Sequence, residues 1–377
     1  MKNLLFLLSA TALLASCNQD ILVDTPQPKP EAPRHIGFET FVDKATRAVG
    51  TNSNNLQDFY PSFNVYGWKT VGNESPASVF DNVTVSFYDA NNANTTKPGA
   101  EWGSTPETGW YYKYIRYWDK MASSYQFSAY APIDATDDVN CTPDGTITIG
   151  TSEKPIFVEK KNLMDRPSKN LAFTGFKYDY MTAQSNSTDA NNQVTLNFKH
   201  LLAKFNIRLL LDESITTYQD VSVQKVKVHN LGCSAYYTND ENVEGTVSGW
   251  TIVGDPAGYT LIADNVYSLN DKKNDNYHNH YVLEQLIIPQ TIAKYTGNEL
   301  SSLKPYSVAC VYVEYTIGTE VFKSFTPLSN IFSNEATYNF EGGKQYTLNI
   351  TIGPKPIEFT AVVSEWEEGN TPNLPMD

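Results

Sequence analysis

Short stretches in which apolar and polar residues alternate recur along this chain, and a period of two suits a β-strand with one buried face rather than a helix. The clearest are IGFETFV (36–42), FNVYGW (63–68), VTVSFY (83–88), YQFSAY (125–130), VTLNF (194–198) and FNIRLLL (205–211). Later come VSVQKVKV (221–228), VACVYVEY (308–315), YTLNITI (346–352) and IEFTAVV (357–363). Turn residues bound them, and helical periodicity over eleven or more residues is hard to find. Aromatic residues make up 13% of the chain, with 24 Tyr and 18 Phe, side chains that suit pleated, half-buried surfaces. Many short strands between turn-rich loops predict an all-β chain of sandwich type, not a parallel sheet flanked by helices.

With 377 residues the chain is long enough for two domains. Two polar stretches, Asp89–Glu107 and Ala183–Asn192, read as loops. The second precedes VTLNFKHLLAKFNIRLL (194–210), so the boundary is expected near His200, with an N-terminal domain over 48–199 and a C-terminal domain over 200–377.

The first residues carry a different signal. Met1-Lys2 is followed by the apolar run Leu4–Ala15, too short to cross a bilayer, which takes about 20 residues. A basic start, a short apolar run and small residues make a secretory signal peptide. It ends in Leu14-Ala15-Ser16-Cys17, the order of a bacterial lipobox, so residues 1–17 are expected to direct acylation of Cys17. Several acyl chains on one cysteine anchor firmly where a single chain does not. Residues 18–34 hold four prolines and few apolar residues and read as an extended tether within a leader spanning 18–47.

Reactive chemistry finds little support. The formal net charge of −14 argues against nucleic acid or anionic lipid as a charge-selected partner. With Cys17 lipidated, Cys141, Cys233 and Cys310 remain, without C-x-x-C spacing. They are read as buried and inert, with one disulfide as the alternative. His278-Asn279-His280 is read as solvated loop rather than a metal site, and Asp134–Gly145 only loosely resembles a calcium loop. No serine-hydrolase, zinc-protease or phosphate-loop motif is present. Among 42 acidic residues no glycosidase pair can be singled out. No enzyme, metal or cofactor is expected. The cluster Trp102, Trp110, Tyr111, Tyr112, Tyr114, Tyr117 and Trp118 is read first as core, with glycan stacking on Trp102, Trp110 and Trp118 as the alternative.

Several segments, in order along the chain, resemble the fimbrillin family of lipoprotein-derived type V pilus subunits. These are the lipobox ending in Cys17, IGFETFVDKATRA (36–48), RYWDKMASSYQFSAYAP (116–132), VTLNFKHLLAKFNIRL (194–209), LIIPQ (286–290) and FEGGKQYTLNITIGPKPIEFTAVVSEWEEG (340–369). The resemblance implies two tandem transthyretin-like β-sandwich domains and export to the outer membrane. It also implies removal of the leader by a trypsin-like protease, and polymerisation with other pilus subunits by strand exchange at the cell surface.

The residues fit that mechanism. Ile36, Phe38, Thr40 and Val42 lie on one face of a leader strand, and Arg47-Ala48, followed by a polar run, is a site a protease can enter. At the other end Ile357, Phe359, Ala361 and Val363 repeat the pattern in a candidate donor strand over 357–363. The expected function is a stalk or tip subunit serving adhesion. The alternatives are an anchor subunit that keeps its lipid and a monomeric surface lipoprotein that binds host or microbial glycans or proteins. Both strands could also be ordinary strands of one monomer.

Overall fold

The computed structural model describes residues 34–42 and 55–365, except 134–137, 158–159, 162–171, 174–177, 188–192, 213–219, 241, 255–259, 264–266, 270–279, 297–307, 334, 336 and 354–356. Cys17, Arg47, Ala48 and His278 therefore lie outside the described residues. The chain is all-β. Among the described residues its one α-helix is Leu328–Phe332, with single 3-10 turns at Leu56–Asp58 and Ala100–Trp102.

A seven-stranded sheet forms the first half, in the order Phe38–Val42, Val194–His200, Met181–Ser187, Ser124–Ala131, Ser62–Thr70, Ala77–Tyr88, Gly109–Tyr112. The pair formed by Phe38–Val42 and Val194–Phe198 is parallel, and every other pair in the sheet is antiparallel. The interior strand Ser62–Thr70 shows why the sheet has two dry faces. Phe63 and Val65 enter the core enclosed by this sheet, whereas Tyr66 and Trp68, on the opposite face, join the core of the second half. Gly67 sits at a break in register. A β-carbon there would stand 2.9 Å from the Phe127 ring and 3.0 Å from the Phe80 ring, so the close approach of backbone to rings requires glycine.

In the second half, Ala203–Leu211 is central to a four-stranded sheet, between His280–Ile287 and Lys344–Ile352, with Glu358–Glu365 at its edge. A second sheet is built on Val221–His229, Cys310–Ile317 and Glu320–Pro327. Phe205, Ile207, Leu209, Leu348 and Ile350 share one apolar cluster with Val221, Val223, Val226, Val311 and Val313, as in a sandwich of two sheets. Strands from 139–173 lie outside the first-half sheet. Ile147–Ile149 and Ile156–Phe157 pair with Ser234–Thr238, and Ala172–Phe173 pairs with Thr260–Ala263.

All ten alternating stretches form strands. The expectation of a loop over Ala183–Asn192 is corrected, because Met181–Ser187 is a strand paired along its length with Tyr125–Ala131. Its outward Gln184 and Asn186 are exposed, so polar composition on one face misled while backbone pairing decided. Asp89–Glu107 contains no strand. Among the described residues no group of three or more His, Cys, Asp or Glu is arranged to hold a metal.

Cys141, Cys233 and Cys310 are buried as thiols. Burial pushes Cys141 up to about 11 and Cys310 up to about 12, so the nucleophilic thiolate is scarce at neutral pH. Iodoacetamide at pH 8 is expected to leave Cys141 and Cys310 unmodified in the native protein and to label them fully in denaturant, read by intact mass. Rapid native labelling at either would contradict this burial.

Candidate functional site

The strand expected to be the leader, Phe38–Val42, is seated in a slot with two walls. On one side it runs parallel to the strand at 194–198, with Phe38 opposite Val194, Thr40 opposite Leu196 and Val42 opposite Phe198. Val194 N donates to Gly37 O at 2.8 Å. On the other side the segment Arg116–Trp118 holds the strand's start. Ile36 N donates to Arg116 O at 2.8 Å and Trp118 N to Arg34 O at 3.0 Å, while His35 bridges to Tyr117. The phenol of Tyr112 donates to Ile36 O at 2.7 Å. Burial raises that phenol to about 12, so it remains a donor throughout the physiological pH range.

Arg116 organises this wall. Its guanidinium lies over the Phe80 ring at 4.7 Å, a cation–π contact. Its Nε donates to Val79 O at 2.6 Å, and its Nη1 donates to Lys113 O at 3.2 Å and Tyr114 O at 2.9 Å.

The floor of the slot is apolar. Ile36, Phe38, Thr40 and Val42 are exposed by only 0, 4, 3 and 5%, so the face expected from the alternation is the buried face. The Phe38 ring has Phe80, Phe63, Tyr112 and Phe127 around it, with centroids at 5.4, 5.9, 5.9 and 6.0 Å, all edge-on. Between the strand and Thr105–Tyr111 lies an open groove of about 540 Å³, lined by His35, Gly37–Phe41, Trp102 and Trp110. The leader is thus bonded on both sides at its start and on one side toward Val42.

The C-terminal strand is held differently. Glu358–Glu365 pairs antiparallel with Lys344–Ile352, placing Phe359 opposite Ile350, Ala361 opposite Leu348 and Val363 opposite Tyr346. Among the described residues it pairs on that edge alone. Ile357 and Phe359 are half-buried against the core of their own subunit, but Val362 and Val363 are 54% and 45% exposed. The four residues expected to share a buried face are therefore seated incompletely.

The aromatic cluster divides. Trp110 packs edge-on against Phe63 at 5.0 Å and Phe87 at 5.2 Å, and Trp118 against Tyr125 at 4.6 Å. Both indoles are buried, so neither offers a face to a sugar. Trp102 is half-buried beside the groove, its indole N–H donating to Tyr112 O at 2.9 Å. Tyr114 and Tyr117 project into solvent, 69% and 51% exposed. Sequence reasoning missed the Arg116 wall and the Tyr112 bond. The quoted segment beginning RYW contains Arg116, but nothing local to it announces a distant strand as partner.

Residues 46–366 match the sequence model of the fimbrillin-like family. No curated protein sequence matches the chain. Among solved structures, a fimbrial protein from Bacteroides vulgatus is similar at 17% identity, over 89% of this chain and 100% of that one, with a TM-score of 0.47. The tip fimbrial protein Mfa3 from Porphyromonas gingivalis, truncated at its C-terminus, is similar at 11% identity, over 88% and 100% of the two chains, with a TM-score of 0.39.

Proposed function

The chain belongs to the fimbrillin-like family, and on that premise we propose that it is a stalk or tip subunit of a pilus, assembled by donor-strand exchange and serving adhesion. It is exported as a lipoprotein on Cys17, held at the outer membrane, and cleaved after Arg47 by a trypsin-like protease. The Ile357–Val363 strand of a neighbouring subunit then fills the slot that the leader leaves.

One observation carries the reading: the leader is a self-contained strand with four inward side chains, and its removal would open an apolar slot flanked by a strand edge. Soluble proteins avoid such exposed edges and patches, and β-augmentation by another chain repairs both. Three full apolar side chains and a smaller one, at about 1.5–3 kcal/mol each, give roughly 5–10 kcal/mol, with backbone bonds adding about 1 kcal/mol apiece. That is enough to join subunits. The C-terminal strand, paired on one edge with exposed valines, suits release to a neighbour. The glycan-binding alternative is weakened, since two of its three tryptophans are buried.

N-terminal sequencing of protein sheared from cells is expected to give a start at Ala48, with Cys17 and the leader strand gone. A polymerising form that starts at His35 keeps the leader strand and would refute the mechanism.

A further inference from the structure

Of the four inward side chains of the leader, three are apolar and Thr40 is not. Its hydroxyl is buried and has no hydrogen-bond partner, and the residue beside it across the parallel pair is Leu196, itself fully buried. A buried hydroxyl that has given up water and gained nothing weakens the strand that carries it. The defect is confined to one position, while the Phe38 ring two residues earlier is closely surrounded.

The C-terminal strand repeats the leader's inward residues with one difference. Ile36, Phe38, Thr40 and Val42 correspond to Ile357, Phe359, Ala361 and Val363 in the same spacing. Isoleucine, phenylalanine and valine recur, and alanine stands where the leader has threonine. The other face raises one steric question, at Gly37, a buried position beside the open groove where the incoming strand has Glu358. A β-carbon at Gly37 would meet Gln193 Cγ at 3.3 Å, and Gln193 is an exposed, flexible side chain that can turn aside.

We infer that Thr40 is the leader's release residue, and that the strand entering from a neighbouring subunit takes the register that sets Ala361 where Thr40 stood. The leader fills the slot well enough to fold the precursor, yet it is the weaker of two near-identical occupants because of one unmet hydroxyl. Exchange then runs toward the donor strand without requiring a better fit elsewhere in the slot. This inference rests on the strand-exchange reading of function.

Two measurements test it separately. The first uses the uncleaved full chain and does not depend on exchange. Thr40→Val keeps the shape and removes the hydroxyl, so its Tm is expected to rise by a few degrees, while Thr40→Ser, which keeps the hydroxyl and loses the methyl, falls. An unchanged or lowered Tm in Thr40→Val overturns the defect. The second nicks the chain with trypsin and adds a labelled synthetic peptide of residues 355–365. The wild-type peptide should displace the leader, and Thr40→Val should slow displacement on the order of tenfold, the factor that about 1.4 kcal/mol sets. A peptide carrying Ala361→Thr should lose a similar factor in affinity, whereas Val362→Thr, on the outward face, should not. Equal rates for wild type and Thr40→Val overturn the release role. A wild-type peptide that never displaces the leader overturns exchange itself, and release with it, whatever the melting data show.

Discussion

Replacing Phe38 by alanine is expected to lower the stability of the leader-bearing chain by about 3–5 kcal/mol, the usual cost of emptying a fully buried phenylalanine site. The ring stands among Phe63, Phe80, Tyr112 and Phe127. Those four are fixed by strands of the sheet or by the Arg116 guanidinium and cannot all collapse into the space. A Tm lower by about 5–10 °C follows, measured on uncleaved protein. Phe41→Ala, at a half-buried position on the other face of the same strand, should cost about 1 kcal/mol or less. The contrast distinguishes loss of the inward ring from general damage to a strand. Phe38→Ala should also leave faster once the chain is cut at Arg47, because the slot then holds the leader by fewer contacts. Equal melting temperatures for Phe38→Ala and wild type would mean that the leader does not help hold the fold together, and the strand that fills the slot would have to be sought elsewhere.

The leader face was legible because period two allows only two ways to seat a strand, and only one of them buries Ile36, Phe38, Thr40 and Val42 together. Strands such as Phe205–Leu211 and Val221–Val228 were equally plain, since each carries enough apolar residues to announce itself alone. The strand Met181–Ser187 was not, because its stability comes from Tyr125–Ala131 rather than from its own polar residues. The short strands of 139–173 hid for the same reason. Three of them pair with 234–238 or 260–263, far along the sequence, and two or three residues carry no period. Parallel pairing of the leader and the anchoring role of Arg116 are likewise non-local facts. At the C-terminus the pattern predicted four inward residues, and the strand was found at a sheet edge with Val363 45% exposed. Alternation fixes which residues share a face; it does not say whether a second layer covers that face.

That half-covered strand sets up the test with the largest functional effect. Phe359→Asp is expected to abolish polymer growth while leaving the monomer folded. In its own subunit Phe359 is half-buried on an edge strand, so a carboxylate there can turn to water, and the cost should be about 1–2 kcal/mol. In the slot the same residue would replace Phe38, which is 4% exposed among aromatic rings. Arg116, the cation over the neighbouring Phe80 and Tyr112 rings, already donates through Nε and Nη1 to the Val79, Lys113 and Tyr114 carbonyls. A carboxylate buried there without a partner costs several kcal/mol, comparable to much of the roughly 5–10 kcal/mol that the donor side chains supply. Subunit joining should therefore weaken by on the order of a thousandfold or more. The readout pairs thermal unfolding of cleaved Phe359→Asp protein with its capacity to form SDS-resistant ladders. Absent ladders with a Tm lowered by only a few degrees support a donor strand that leaves its own sheet. A monomer that melts far lower would place Phe359 in the permanent core of its subunit. Undiminished ladders would show that the slot is filled by some other segment.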